Sequence, residues 1–226
     1  MAATLGCGGD LTLPDPVASG FSLSIVRGNG QTGTVGQALP EFLVVKVVSE
    51  SNTPIPGREV AFVLSGAPAG GQLDPDTAVT NSQGEAIARW ILGTAPGDHA
   101  VEARLVVAAP AEPPVARFEA SAVAGAPDTL RAESPLSQPG RRGQALPDPL
   151  VVRVVDRFGN PVAEVEVRWE VLTGKGELSE SETLTDSDGT ASVSWTLGNR
   201  IGLHKVTAEV EGIYGSPVTF TATVLF

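Results

Sequence analysis

The sequence predicts an all-β protein of two tandem β-sandwich domains. Three observations carry that prediction: a long internal repeat, apolar residues that alternate with period two, and turn residues recurring between the alternating runs.

The repeat is explicit. Gly36-Gln-Ala-Leu-Pro-Glu-Phe-Leu-Val-Val-Lys-Val-Val48 returns 107 residues later as Gly143-Gln-Ala-Leu-Pro-Asp-Pro-Leu-Val-Val-Arg-Val-Val155. Thr80-Asn-Ser-Gln-Gly-Glu-Ala-Ile-Ala-Arg-Trp-Ile-Leu-Gly93 returns 105 residues later as Thr185-Asp-Ser-Asp-Gly-Thr-Ala-Ser-Val-Ser-Trp-Thr-Leu-Gly198. Two residues therefore drop out between the blocks of the second copy. Such a period is too long for a solenoid or propeller unit. It is the length of one complete immunoglobulin-like sandwich. The reading divides the chain into a tail (1–16), a first immunoglobulin-like domain (17–125) and a second (126–226).

Within each copy the pattern is that of half-buried strands. Val165, Val167, Trp169 and Val171 are apolar, whereas the interleaved Glu166, Arg168 and Glu170 are charged. Alternate residues of a strand face opposite sides of the sheet, so one face is packed and the other wet. Ala191–Leu197 alternates likewise, as do Val206, Ala208 and Val210, and then Val218, Phe220, Ala222 and Val224. Phe158-Gly-Asn-Pro161, Asp186-Ser-Asp-Gly189 and Asn199-Arg-Ile-Gly202 punctuate the runs. Gly and Asn supply positive φ there, Asp bonds its own backbone and Pro ends the pairing.

Composition narrows the function. Of 226 residues 42% are hydrophobic and 18% charged, a globular balance, and no apolar stretch approaches the roughly 20 residues of a membrane-spanning helix. A net charge of −11 argues against a nucleic-acid partner. The one cysteine, Cys7, leaves no internal disulfide, so each sandwich must be held by apolar packing.

These motifs resemble a known family. Leu150-Val-Val-x-Val-Val-Asp156, Gly159-Asn-Pro-Val162, the Val-x-Val-x-Trp run ending at Trp169, the Thr185-Asp-x-Asp-Gly189 turn and Trp195-x-Leu-Gly198 are similar to the group 1 bacterial immunoglobulin-like domain, the repeat unit of invasin and intimin adhesins. The first copy departs from the pattern: Ser49 stands for Asp156, Asn52-Thr-Pro54 for the Gly-Asn-Pro, and Asn81 and Gln83 for the turn aspartates. The resemblance implies an extracellular or cell-surface spacer or adhesion module, non-enzymatic, in which such domains carry an adhesive tip away from the cell. The alternative is a structural subunit of a fibre or decorated particle, assembling through its N-terminal segment or sheet edges. A third, a carbohydrate-binding module, requires an exposed aromatic row.

Few side chains suggest chemistry. Asp156, Asp186 and Asp188 are the candidate oxygen donors for calcium, weighed against turns with solvated carboxylates, because calcium takes 6–8 oxygens. Otherwise no cofactor is expected. His99 and His204 sit at equivalent strand starts and read as core-edge residues, and Trp90 and Trp195 as core. Glu177, Glu180 and Glu182 read as an exposed, hairpin-like stretch. Thr4-Leu-Gly-Cys7 is similar to the end of a lipoprotein signal, which makes Cys7 the candidate lipidation site. Only six residues precede it, fewer than a charged n-region plus an apolar h-region need, and the plainer reading is a tail with an incidental thiol. The expected partners are a protein or further copies of the chain, and a membrane only through lipid on Cys7, with association to an outer membrane as its consequence. No Gly-rich phosphate cradle and no nucleophile–base motif is present, so enzymatic activity is not expected.

Overall fold

A computed structural model describes residues 20–66, 70–107 and 113–224, and among them every regular element is a strand. The chain forms two compact units, one of Met1–Gly93 with Asp98–Ser121, the other of Thr94–Gly97 with Ala122–Phe226.

The first unit holds β1 (Phe21–Arg27), β2 (Gln31–Thr34), β3 (Leu43–Ser49), β4 (Glu59–Ser65), β5 (Gly71–Asp74), β6 (Thr77–Val79), β7 (Glu85–Leu92), β8 (Gly97–Leu105) and β9 (Val115–Val123). They build a four-stranded sheet, β1-β3-β7-β5, and a five-stranded sheet, β2-β9-β8-β4-β6. Leu43, Val45, Val47, Ala86, Ala88 and Trp90 of the first sheet are buried, as are Val60, Phe62, Val101, Ala103 and Phe118 of the second.

The second unit holds β10 (Thr129–Ala132), β11 (Ser137–Gly140), β12 (Leu150–Val155), β13 (Glu166–Thr173), β14 (Glu177–Leu178), β15 (Glu182–Leu184), β16 (Thr190–Val193), β17 (Trp195–Thr196), β18 (Gly202–Glu209) and β19 (Val218–Val224). Their order is β10-β12-β16, continued by the short β14-β17 pair, and β11-β19-β18-β13-β15. One apolar cluster joins the two layers: Val152, Val154, Val193, Trp195 and Leu197 from one side, Val167, Trp169, Val206, Ala208, Phe220 and Ala222 from the other. Trp169 stacks on Phe220 with ring centroids 6.3 Å apart. The period-two residues of the sequence are those that fill this core, because a strand can bury only alternate side chains.

The glutamate stretch is a correction. Glu177 and Glu182 are exposed, but they do not share a hairpin. β14 pairs with β17, whereas β15 pairs with β13 in the opposite sheet. The segment between them crosses from layer to layer. Ser179 N–H donates to the Ser194 carbonyl on one side, and Trp169 N–H donates to the Ser181 carbonyl on the other. Satisfying both sheets' backbone groups requires the crossing.

Candidate functional site

The residues with chemical potential lie mostly in the turns that join strands. Asp156 ends β12. Its Oδ1 accepts the N–H groups of Phe158 (2.8 Å) and Asn160 (2.9 Å). Its Oδ2 accepts from the Asn160 amide (2.9 Å) and from the Gly125 N–H (2.8 Å). Burial of this carboxyl works to raise its pKa, but the bonds from Asn160, Gly125 and Phe158 outweigh it and hold the group below the ordinary aspartate value. Four donors on two oxygens leave the carboxylate fully engaged.

Asp186 closes the turn between β15 and β16. Its Oδ1 accepts from Asp188 N–H and Thr190 N–H, each 2.9 Å, and its Oδ2 from the Thr190 hydroxyl at 2.7 Å. The bonds from Thr190 are the main reason its pKa is lowered, with smaller help from Asp188 N–H and the charge of Arg153. Asp188 contributes its backbone N–H to this turn. Among the described residues no group of three or more His, Cys, Asp or Glu side chains is placed to hold a metal ion.

The first unit builds the same turns without the acids. Asn81 Oδ1 accepts from Gln83 N–H (2.8 Å) and Glu85 N–H (3.0 Å). The Ser49 hydroxyl accepts Thr53 N–H at 3.3 Å. The position therefore asks for a short side-chain acceptor, not for a charge. Beside these turns Thr80 and Thr185 are buried and doubly bonded. The Thr80 hydroxyl donates to the Ile55 carbonyl and accepts from Arg58 N–H. The Thr185 hydroxyl donates to the Val162 carbonyl and accepts from Val165 N–H. Sequence reasoning missed both threonines, although they head the repeated Thr80 and Thr185 blocks.

The aromatic and imidazole side chains are core. Trp90 and Trp195 are fully buried (0% exposed) and Trp169 is buried too, so no tryptophan offers a stacking platform. His204 is 1% exposed, and its Nε2 lies 2.8 Å from the Arg200 carbonyl. His99 is likewise buried. In the first unit an open cavity of about 420 Å³ is lined by Gln31, Asp98, His99, Arg117, Glu119 and Ser121 among others. Ser121 donates its hydroxyl directly to Asp98, 2.9 Å away. Asp98 and His99 are successive residues of β8, with Asp98 exposed and His99 buried, as alternation along a strand requires. Cys7 lies outside the described residues.

What remains exposed is surface. Edge strands β1, β2, β5, β6, β10, β11 and β15 are among those that end the sheets. Large apolar side chains stand out at Val26, Phe42, Val79, Leu184 and Tyr214. Arg89 covers the Phe42 ring at 5.9 Å and Arg157 the Phe158 ring at 4.5 Å. Such features suit contact with other macromolecules.

Known proteins share this build. The sequence matches no curated protein. A family model described as the bacterial Ig-like domain (group 1) matches residues 147–223. Among solved structures, the adhesin FdeC of Escherichia coli is 18% identical with a TM-score of 0.57, the match covering 93% of this chain and 64% of that one. InvD of Yersinia pseudotuberculosis is 15% identical with a TM-score of 0.49, covering 90% and 57%. The adhesin InvE of the same organism is 18% identical with a TM-score of 0.38, covering 92% and 60%. The chain thus spans less than two thirds of the length of each. At such identities the likeness to FdeC is one of fold. Over residues 147–223, most of its second unit, this chain is similar to the bacterial Ig-like domain of group 1.

Proposed function

We propose that this chain is a non-enzymatic immunoglobulin-like module of a bacterial surface, acting as a spacer or adhesion element. The observation that carries the reading is the family match over residues 147–223, joined to the fold likeness with the adhesin FdeC along 93% of the chain. The structure is suited to a passive role. Its tryptophans are buried in the cores, Asp156 and Asp186 are taken up by hydrogen bonds of their own turns, and its exposed features are sheet edges and apolar spots. Function of this kind resides in length, stiffness and surface rather than in a reacting centre.

The proposal extends to organisation. Residues 17–125 and 126–226 are two copies of one domain behind a tail of residues 1–16, the partner is a protein, and lipid on Cys7 ties the chain to the outer membrane. Calcium is not required. The carboxylates of Asp156 and Asp186 already hold hydrogen-bond donors, so about 1 mM calcium or a chelator leaves the melting temperature unchanged.

Antibody labelling of cells tests the location: intact and permeabilised cells should stain equally, and staining only after permeabilisation would sink the reading. Mass spectrometry of native protein tests the anchor. A diacylglyceryl mass on Cys7 supports it, and an unmodified, Met1-retaining chain rejects it without touching the spacer role.

A further inference from the structure

We propose that Asn29-Gly30 is a deamidation site, held unreactive by the folded first unit and released when that unit unfolds. Of the five asparagines in the chain, this one alone precedes a glycine. Deamidation begins when the next backbone nitrogen attacks the asparagine Cγ. Glycine has no Cβ, so it leaves that nitrogen unshielded and lets the chain bend back on itself. Asn52, Asn81 and Asn199 are followed by Thr, Ser and Arg, whose side chains hinder the approach. Asn160 is followed by Pro, which has no N–H to give up. Asn29 is exposed, so water reaches it.

The step needs no reactant but water. The Gly30 nitrogen bonds to Asn29 Cγ and gives up its proton, the Cγ–Nδ2 bond breaks, and ammonia leaves with that proton. Water then opens the cyclic imide at either carbonyl, giving aspartate or isoaspartate, and nothing is oxidised or reduced. Either product adds a negative charge to a chain already at −11. Aspartate keeps an acceptor at position 29, whereas isoaspartate lengthens the main chain by a methylene just ahead of β2.

The folded first unit occupies both reacting groups. Gly30 N–H donates to the Glu119 carbonyl of β9 at 2.8 Å, and Asn29 Oδ1 accepts the Glu119 N–H at 2.8 Å. Gln31 ties down the flank. Its amide donates to the carbonyls of Gly28 (2.8 Å) and Glu41 (3.1 Å), and its Oε1 accepts Glu41 N–H at 2.8 Å. Attack requires Gly30 N to lose its proton and Cγ to swing over it into a near-attack geometry, which breaks both bonds to Glu119. Two net hydrogen bonds lower the population of the opened conformer roughly thirtyfold. In the second unit a backbone group does the work of the asparagine: the Leu136 carbonyl accepts Thr221 N–H, and Leu136 stands 107 residues after Asn29. The fold therefore does not demand the reactive dipeptide. The inference stands whether or not the chain serves as a spacer.

Peptide-mapping mass spectrometry of the full chain tests it, after incubation at mildly alkaline pH in buffer and in unfolding guanidinium chloride. In the unfolded chain Asn29 should convert to aspartate and isoaspartate ahead of the other asparagines. In the folded chain its conversion should be about thirtyfold slower. Hydrogen exchange gives a second readout: the Gly30 amide should be protected although Gly30 is exposed and precedes the edge strand β2. Three results overturn the proposal. One is a rate in the folded chain within about threefold of the unfolded rate. Another is rapid exchange at Gly30 while the β9 amides stay protected. The last is a different asparagine converting first in the unfolded chain.

Discussion

A side-chain acceptor, repeated with different chemistry, decides how the turns behave. Asn81 and Asp186 occupy matching places and take up matching backbone N–H groups, but only the aspartate titrates. The aspartates drew notice in the sequence as oxygen donors for calcium. Their real engagement was invisible there, because hydrogen-bond direction is not a property of spacing. The one available sign was that the first copy does without the acids. Asp156 and Asp186 both have lowered pKa values in the folded chain. The unfolded chain therefore binds protons more readily, so their stabilisation is complete above about pH 4 and fades as pH falls through the lower folded values. Urea melts of Asp156→Asn between about pH 2 and 5 should show a shallower acid slope than the parent. Asp156→Ala, which strands several N–H groups, should cost about 2 kcal/mol at neutral pH. A parent-like acid slope in Asp156→Asn would contradict this account.

Strands were legible where they were long enough to alternate. The inward residues of β13, β18 and β19 can be read directly from Val167–Trp169, Val206–Val210 and Val218–Val224, since period two admits one buried face. β5, β6, β14 and β15 span two to four residues each, too few for a period, and the layer-crossing between β14 and β15 was accordingly misread as a hairpin. The turn glycines Gly84 and Gly189 show what fixes the longer elements. Each has φ near +70°, and a Cβ on either would lie 2.6 Å from a carbonyl oxygen, of Val47 or Val154. Gly189→Ala should therefore destabilise by more than about 1 kcal/mol, measurable by denaturant titration. Edge β10 carries a different device. Leu130 N–H donates to the Tyr214 carbonyl, and Tyr214 N–H donates back to Asp128. This seals an edge that would otherwise recruit foreign strands. In hydrogen exchange the Leu130 amide should be protected despite its place on an edge strand, and rapid exchange there would show that the seal opens.

At the level of the molecule, the repeat was the signal of longest range in the sequence. Spacing of about 105 residues pointed to sandwiches, and each compact unit of the structure encloses buried residues from its own two sheets. Motif resemblance could not reveal the bonds of Asn29 and Gly30 to Glu119, because they depend on which residues stand side by side after pairing. Separate cores have a thermodynamic consequence. Trp195→Ala removes the largest fully buried side chain of the second unit and should cost about 3–5 kcal/mol there. At about 4–8 °C per kcal/mol for a domain of this size, calorimetry should resolve a second-unit transition lowered by more than 10 °C beside an unshifted one. A single transition that moves as a whole would mean that the units melt together.

The pairing of β11 with β19 bears on how such a protein meets tension. These strands run in the same direction, with Ser137 beside Thr221 and Gly140 beside Val224, and the Leu136 carbonyl accepts both the N–H and the hydroxyl of Thr221. Pulling the two ends of the second unit apart slides one strand along the other, so every rung of that ladder bears load at once instead of opening one after another. Under such a pull the load falls as shear on a seam only four residues long.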